Sequence, residues 1–285
     1  MTRIIIAAPS YNPAIGGSIV LHKVCHILNE IGYDAALTTT PKLNGPSPYF
    51  ALHPEYNTKI ATEISSEDDI IIYPEIESGN PYQCKNVVRY LLNKYHLPEH
   101  GNTMATWGEN DYWLYFHNLF YDKIKEPNFL HILDTKAEVF EDRKQERVNE
   151  ACFTFRKKSQ DLENLNIIHP EGSIEIGYNV QEEDLIRIFN SCKRFYSYDT
   201  ETYLSVLAAL CGCESIVVPY RDVTKAQVLE KQPAFKYGIA YGLEDLEYAN
   251  ATSPKLKDYL LGLESQQIID TKEAFTKILK HFNLT

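Results

Sequence analysis

The sequence lacks the marks of several functional classes. It has no CxxC pair, no DxD metal motif, no GxGxxG loop and no tract of low complexity. No apolar run approaches the roughly 18–20 residues that span a bilayer. The opening Met1-Thr2-Arg3-Ile4-Ile5-Ile6-Ala7-Ala8 is apolar but short, and Pro9 and Asn12 end it, so it is not expected to be a secretory leader. Positive charge is scarce: 28 Lys and Arg stand against 39 Asp and Glu, a net charge of −11. A nucleic-acid binder presents a basic surface, so no nucleic-acid partner is expected. A local basic pocket for a phosphate stays compatible with that balance. The expected setting is the cytoplasm, free or peripheral to a membrane.

The six cysteines, Cys25, Cys84, Cys152, Cys192, Cys211 and Cys213, follow no zinc-site spacing. Most fall inside apolar patterns and read as reduced core residues. Cys211-Gly-Cys213 reads as a helix-end core pair ahead of a redox or metal pair.

What is present is an ordinary globular balance. Apolar residues make up 44% and charged residues 24% of 285, enough for two domains. Strand and helix signals alternate. Ile4–Ala8 reads as a buried strand, Ser10–Gly17 as a turn-rich loop, Ser18–Ile31 as a helix stopped by Gly32, and Tyr33–Thr38 as the next strand. Asp69–Tyr73 reads as a strand stopped by Pro74. Asn80-Pro81 reads as a helix start, with Val87, Val88, Leu91, Leu92 and Tyr95 as the apolar face. Tyr112–Phe116 and Phe129–Leu133 read as short strands. The charged stretch Asp134–Glu150 is either a domain boundary or a solvated segment. Beyond it the alternation resumes, with strands at Cys152–Phe155, Ile167–Pro170, Phe195–Tyr198 and Ser215–Val218. Helices are expected at Glu182–Ser191, Thr200–Cys211 and Thr271–Asn283. The fold class is α/β, with two Rossmann-like, doubly wound domains. They are expected at residues 1–148 and 149–270, with a terminal helix at 271–285 returning to the first. Ligands of such sheets bind at the carboxyl ends of the strands.

Several residues near those ends could carry chemistry, each with a plainer reading beside it. Gly16-Gly17, before the first helix, is a tight turn or a place for backbone amides to approach an anion. Arg156-Lys157-Lys158 is a solvated loop or a diphosphate site. In Ser197-Tyr198-Asp199-Thr200-Glu201-Thr202, Asp199 or Thr200 can cap a helix, and the same groups can hold a phosphate or sugar hydroxyls. Glu75, after the strand ending at Tyr73-Pro74, is a surface glutamate or a base. His22 and His26 lie one turn apart and read as exposed histidines ahead of a metal pair. His117, in Tyr-Trp-Leu-Tyr-Phe-His, reads as a packed or strand-end residue.

Several segments resemble glycosyltransferases of the two-Rossmann-domain GT-B architecture, in the glycogen-synthase-like (family 4-like) group. Asn12-Pro-Ala-Ile-Gly16-Gly17-Ser-Ile-Val-Leu-His22 is similar to that group's first loop. Tyr73-Pro74-Glu75, with Gly79-Asn80-Pro81 and Val87–Asn93, resembles bacterial surface-polysaccharide members. Phe195–Cys213, running on to Ile216-Val217-Val218-Pro219, resembles the donor-binding strand, helix and turn. The resemblance implies two domains facing a cleft, in a compact version. It implies a metal-independent hexosyl- or deoxyhexosyltransferase with no cofactor. The partners implied are a nucleotide-sugar donor and a glycan or glycolipid acceptor, in polysaccharide or glycoconjugate synthesis. It assigns Asp199 and Glu75 as catalytic. Gly16, Gly17, Arg156, Lys158, Tyr198, Thr200 and Thr202 are assigned to the donor, and no residue to a metal. The group carries two glutamates separated by seven residues. Here Asp199 takes the first position and Leu207 the second, where the ribose contact belongs. An epimerase or another sugar-nucleotide enzyme, and a degenerate binding or partner subunit, are the alternatives.

Overall fold

Five residues that can do nothing but bury themselves, Ile4-Ile5-Ile6-Ala7-Ala8, open the fold of the computed structural model, which describes residues 2–13, 15–41, 49–95, 102–155, 165–178 and 180–284. All five are fully buried. Both faces of this strand are therefore covered, as continuous apolar runs in parallel sheets require.

The chain divides into two compact units, Met1–Asp134 with Glu264–Thr285, and Thr135–Leu263. In the first, five strands are all parallel: β1 (Ile4–Ala8), β2 (Ala35–Thr39), β3 (Ile70–Pro74), β4 (Asn86–Leu91) and β5 (Tyr112–Tyr115). Their order is β2-β1-β3-β4-β5. One face carries Ile4, Ile6 and Ala8 against helix α1 (Gly16–Glu30), through Val20, Leu21, Val24 and Leu28, and against Phe275 and Ile278 of the last helix. The other face carries Ile5, Ala7, Ile71 and Tyr73, and it is covered by coil, through Ala61, Ile64 and Tyr82.

The second unit repeats the plan with β6 (Asn149–Thr154), β7 (Ile174–Glu175), β8 (Cys192–Ser197), β9 (Glu214–Val217) and β10 (Ile239–Tyr241), again all parallel, in the order β10-β9-β8-β6-β7. Helices α2 (Glu182–Ser191), α3 (Leu204–Leu210), α4 (Lys225–Lys231) and α5 (Leu246–Thr252) connect or flank these strands. The last helix, α6 (Leu256–His281), starts in the second unit and finishes in the first. The α/β class with two parallel sheets is thus as the alternation of signals implied. Among the described residues no helix is long and apolar enough to cross a membrane.

Several expected elements differ. The helix expected after Asn80-Pro81 is strand β4: Val87 to Leu91 is buried on both sides, and a short apolar run of that kind satisfies either period. Phe129–Leu133 makes only an isolated bridge, Tyr115 with Phe129, and Ile167–Pro170 forms no strand. Helix α3 starts at Leu204 rather than Thr200, because the Asp199–Thr202 segment is tied into a turn. The helix expected at Thr271–Asn283 begins fifteen residues earlier, at Leu256. Strands β7 and β10 and helices α4 and α5 have no counterpart in the sequence reading.

The charged stretch before β6 is not simply solvated. The Arg147 guanidinium donates to the carbonyls of Phe189 (2.8 Å), Cys192 (2.7 Å) and Cys211 (2.6 Å). It gathers the ends of α2 and α3 at the start of the sheet. Gly212, at φ 79°, completes that corner: a Cβ there would lie 2.5 Å from an Asp142 carboxylate oxygen and 2.7 Å from Arg147 Nη2. All six cysteines are free and buried.

Candidate functional site

A parallel sheet leaves a crevice where consecutive connections leave a strand in opposite directions, because the loops on either side diverge there. In the first unit β1 is flanked by β2 and β3, so that point lies between β1 and β3. The loops at its carboxyl end are Pro9–Ile15 and the segment beginning at Glu75. In the second unit β6 is flanked by β7 and β8, so the equivalent point lies between β6 and β8. The segments there follow Thr154 and Ser197.

At the first point, the loop is shaped by Ser18, whose hydroxyl accepts from Asn12 N (2.9 Å) and donates to Ser10 O (3.1 Å). Helix α1 begins at Gly16 with Ile15 at its cap position and no side-chain cap. Its first amides are thus not satisfied by a capping side chain. Neither glycine is at positive φ. A Cβ on Gly16 would meet nothing within 4 Å, and one on Gly17 only Leu92 Cδ1 at 3.5 Å. The glycines are required by neither conformation nor packing; what they leave is open space at the helix end.

Glu75 is buried rather than at the surface. One carboxylate oxygen accepts from Leu92 N at 3.0 Å, and its carbonyl accepts from the Thr103 hydroxyl at 2.9 Å. Burial raises its pKa above the ordinary carboxylate value. Part of this side chain therefore fastens the end of β3 to the end of β4.

His22 and His26 are not exposed either. His22 is fully buried, with Nε2 3.0 Å from the Pro9 carbonyl, so Nε2 bears the hydrogen. His26 is half-buried, accepts from Asn57 N at 2.9 Å and stacks on Tyr56. His117 Nδ1 accepts from Leu119 N at 3.1 Å just beyond β5, a strand-end role. Its ring lies 5.4 Å from that of His131. Among the described residues, no group of three or more His, Cys, Asp or Glu is placed to hold a metal ion.

Burial and the neighbouring His117 push His131 from 6.5 down to about 4. Burial also lowers His22, His26 and His117. Between the two His131 values the unfolded chain binds a proton that the folded chain does not. Stability of the first unit should therefore fall as pH drops through that window and be level above it. Both tryptophans, Trp107 and Trp113, lie in this unit, so their fluorescence reports it alone. The unfolding free energy is expected to fall between about pH 6.5 and about pH 4, by up to roughly 1.4 kcal/mol per pH unit from His131. His131→Phe should flatten the slope, and an unchanged slope would exclude His131 as a source.

At the second point, Arg156 and Lys158 lie outside the described residues. Tyr198 extends β8 by one more bond, donating from N to Thr154 O at 3.0 Å. Ser197 and Asp199 are both buried. The Ser197 hydroxyl donates to Asp199 O (2.6 Å) and accepts from Asp199 N (3.2 Å). Asp199 Oδ1 then accepts from Glu201 N at 2.9 Å, an Asx turn rather than a helix cap. Thr202, also buried, accepts from Leu204 N at 3.4 Å and starts α3. Thr200 is half-buried between them. Leu207, one face further along α3, is buried in the unit's core, so it offers nothing to a ligand.

Tyr198 has a partner that the sequence did not reveal. Its hydroxyl oxygen accepts from Ile168 N (2.9 Å) and His169 N (3.2 Å) and lies 2.8 Å from His169 Nδ1. The His169 ring stacks on Phe153 at 3.8 Å and 9°. The loop before β7 is thereby laid across the end of β8. No sequence pattern marks His169, because Ile167–Pro170 reads as a strand.

The structure thus brings Gly16, Gly17 and Glu75 to the first crevice, and Tyr198, Asp199, Thr200 and Thr202 to the second. Comparison with known proteins adds no family to this geometry: no protein-family model matches the chain, and no curated protein matches its sequence.

Proposed function

We propose that the chain is a glycosyltransferase of GT-B architecture that moves a sugar from a nucleoside-diphosphate sugar to a glycan or glycolipid acceptor. The donor is assigned to the β6/β8 crevice and the acceptor to the β1/β3 crevice. The observation that carries the reading is Asp199, a buried carboxylate two residues past the end of β8, at a topological switch point, where α/β sheets bind their ligands. The resemblance of Phe195–Cys213 to a donor-binding segment supports it.

Transfer breaks the bond between the anomeric carbon and the diphosphate. Positive charge grows on the sugar and negative charge on the leaving group. Asp199 is suited to the first, and Arg156 and Lys158 to the second. Tyr198, Thr200 and Thr202 are assigned to the donor. Glu75 is assigned to the acceptor side, where its bond to Leu92 N fixes its position. Retention of configuration is assigned by analogy with the group.

Calorimetry with a panel of nucleoside diphosphates and their sugars tests the reading. Binding tighter than millimolar is expected, and its absence across the panel would sink the proposal. Arg156→Ala and Lys158→Ala are each expected to abolish that binding while leaving the circular dichroism spectrum and thermal midpoint unchanged. Wild-type affinity in both would remove the diphosphate assignment. Product analysis with donor alone separates transfer from epimerisation. The buried Leu207, standing where the group has a ribose contact, favours one second reading: a binding subunit that holds the nucleotide sugar without turnover. Donor binding with no product for any acceptor would select it.

A further inference from the structure

We infer that His169 is a fixed hydrogen-bond donor at the β6/β8 crevice, presenting Nε2–H to a phosphoryl oxygen of the bound ligand, with its tautomer set by Tyr198. This rests on the donor-site reading given above and adds a residue to it.

The argument starts from the valence of one oxygen. A tyrosine hydroxyl has two acceptor positions and one proton to donate. On Tyr198 both acceptor positions are taken by backbone donors, Ile168 N at 2.9 Å and His169 N at 3.2 Å. The third close neighbour, His169 Nδ1 at 2.8 Å, must then receive the tyrosine proton. An imidazole that accepts at Nδ1 carries its hydrogen on Nε2. The alternative, with Nδ1 protonated, would set three donors against an oxygen that also has its own proton to place.

The ring is also fixed by its aromatic neighbours. Phe153 holds its face, at 3.8 Å and 9°, and Tyr198 meets it edge-on at 5.5 Å and 75°. Phe155 packs at 6.2 Å and 64°. Position, plane and tautomer are thus determined, while Nε2 makes no hydrogen bond among the described residues and is not a buried unsatisfied atom. Here a pre-set donor is left at the carboxyl end of the sheet, beside the switch point.

The groups that face the ring bear on its charge. Tyr196 and Tyr198 come from β8 and its extension, Phe153 and Phe155 from β6 and its extension, and Glu175 from β7. Burial lowers the His169 pKa and Glu175 opposes that shift. The neutral donor is the form at neutral pH. Protonation would place a donor on Nδ1 against the tyrosine proton and force Tyr198 to turn its O–H away.

Long-range nitrogen–proton NMR on the full chain with labelled histidine tests the tautomer, the His169 signals being assigned by their loss in His169→Gln. The Nε2–H tautomer is expected, with Tyr198→Phe giving a mixture. Titration with inorganic pyrophosphate, uridine diphosphate and guanosine diphosphate gives the second readout. The Nε2–H proton is expected to move downfield on binding. His169→Phe, which keeps the stack on Phe153, should weaken diphosphate binding about fivefold. His169→Gln, which restores an N–H donor, should recover part of that loss. An Nδ1–H tautomer, or diphosphate binding unchanged in His169→Phe, overturns the inference while leaving the donor site in place. If the wild-type chain binds none of the nucleotides or pyrophosphate, the donor-site reading itself fails and the role of His169 fails with it.

Discussion

Arg89→Met is expected to destabilise the first unit by about 3–5 kcal/mol. Arg89 sits in the middle of a parallel strand with none of its surface exposed. Such a position would cost several kcal/mol for an unpaired cation. The guanidinium is instead shared out: Nε donates to Asp111 Oδ2 at 2.6 Å, Nη2 to Gly79 O at 2.5 Å and Nη1 to Glu77 O at 3.4 Å. The faces of Tyr73 and Trp107 lie 4.9 Å and 5.2 Å away. Burial lowers the pKa of the guanidinium and the Asp111 carboxylate raises it. Methionine fills much of the volume and replaces none of the bonds. Among the described residues Asp111 keeps the Gly108 amide at 3.1 Å, and the Glu77 carbonyl keeps the Trp107 indole at 3.0 Å. The destabilisation therefore comes chiefly from the stranded carboxylate. A chemical denaturation curve followed by tryptophan fluorescence measures it. Arg89→Met combined with Asp111→Leu should lose clearly less than the two single changes together, because the second removes the charge that the first abandons. A loss under about 1 kcal/mol for Arg89→Met would mean that the pair is solvated, contrary to its burial.

The same arginine explains how the first unit dispenses with a helix between β3 and β4. Parallel strands need a crossover, and a helix is the usual one because it satisfies its own backbone. Here residues 75–85 cross as coil, and side chains supply the partners. Arg89 takes the carbonyls of Glu77 and Gly79, Asn80 bonds Cys84 O and Cys84 N, and Tyr73 OH accepts from Tyr82 N. The crossover begins at the carboxyl end of β3, beside the β1/β3 crevice, so its order sets where Glu75 stands.

This arrangement also shows where sequence reading succeeds and where it stops. Ile4–Ala8 and Asp69–Tyr73 were legible because a strand covered on both faces must be apolar throughout, and proline then ends it. Val87–Tyr95 misled for the same reason: five buried positions in a short run fit a helical face as well as a strand. The coil that covers the second face of the first sheet has no period, so nothing in Ala61, Ile64 or Tyr82 announced it. Helix α6 was shortened because polar residues occupy its buried side. Gln267 accepts from Leu133 N and Thr271 bonds back to Gln267 O, while Ile268 and Ile269 face solvent. That inverts the pattern by which amphipathic helices are found. Strands of two and three residues, β7 and β10, are too short to carry any pattern. Of the candidate site, Asp199 was legible from strand-end position, whereas the His169–Tyr198 bond joins residues 29 apart in sequence through a loop with no signature.

If the chain transfers a sugar as proposed, Asp199→Asn should lower kcat by about 10²- to 10³-fold while leaving the fold and the turn intact. The two roles open to Asp199 make different demands on its side chain. As a turn former it needs only a carbonyl-type oxygen to accept from Glu201 N, and asparagine supplies one. As a partner of the transition state it needs a negative charge, because positive charge develops on the transferred sugar and a buried carboxylate acts on it with little screening. Asparagine is nearly isosteric, so the substitution separates geometry from charge. The loss should fall on kcat more than on KM, since the ground-state sugar is uncharged and gains little from the carboxylate. Asp199→Ala should lose turnover similarly and also lower the thermal midpoint of the second unit, because Glu201 N then loses its partner. Nucleotide affinity should stay close to wild type in Asp199→Asn, the diphosphate being assigned to other residues. Steady-state transfer assays with a donor identified by the binding panel give all three quantities. Turnover within threefold of wild type in Asp199→Asn would leave Asp199 as a turn residue only, and the buried carboxylate would cease to mark the reacting centre.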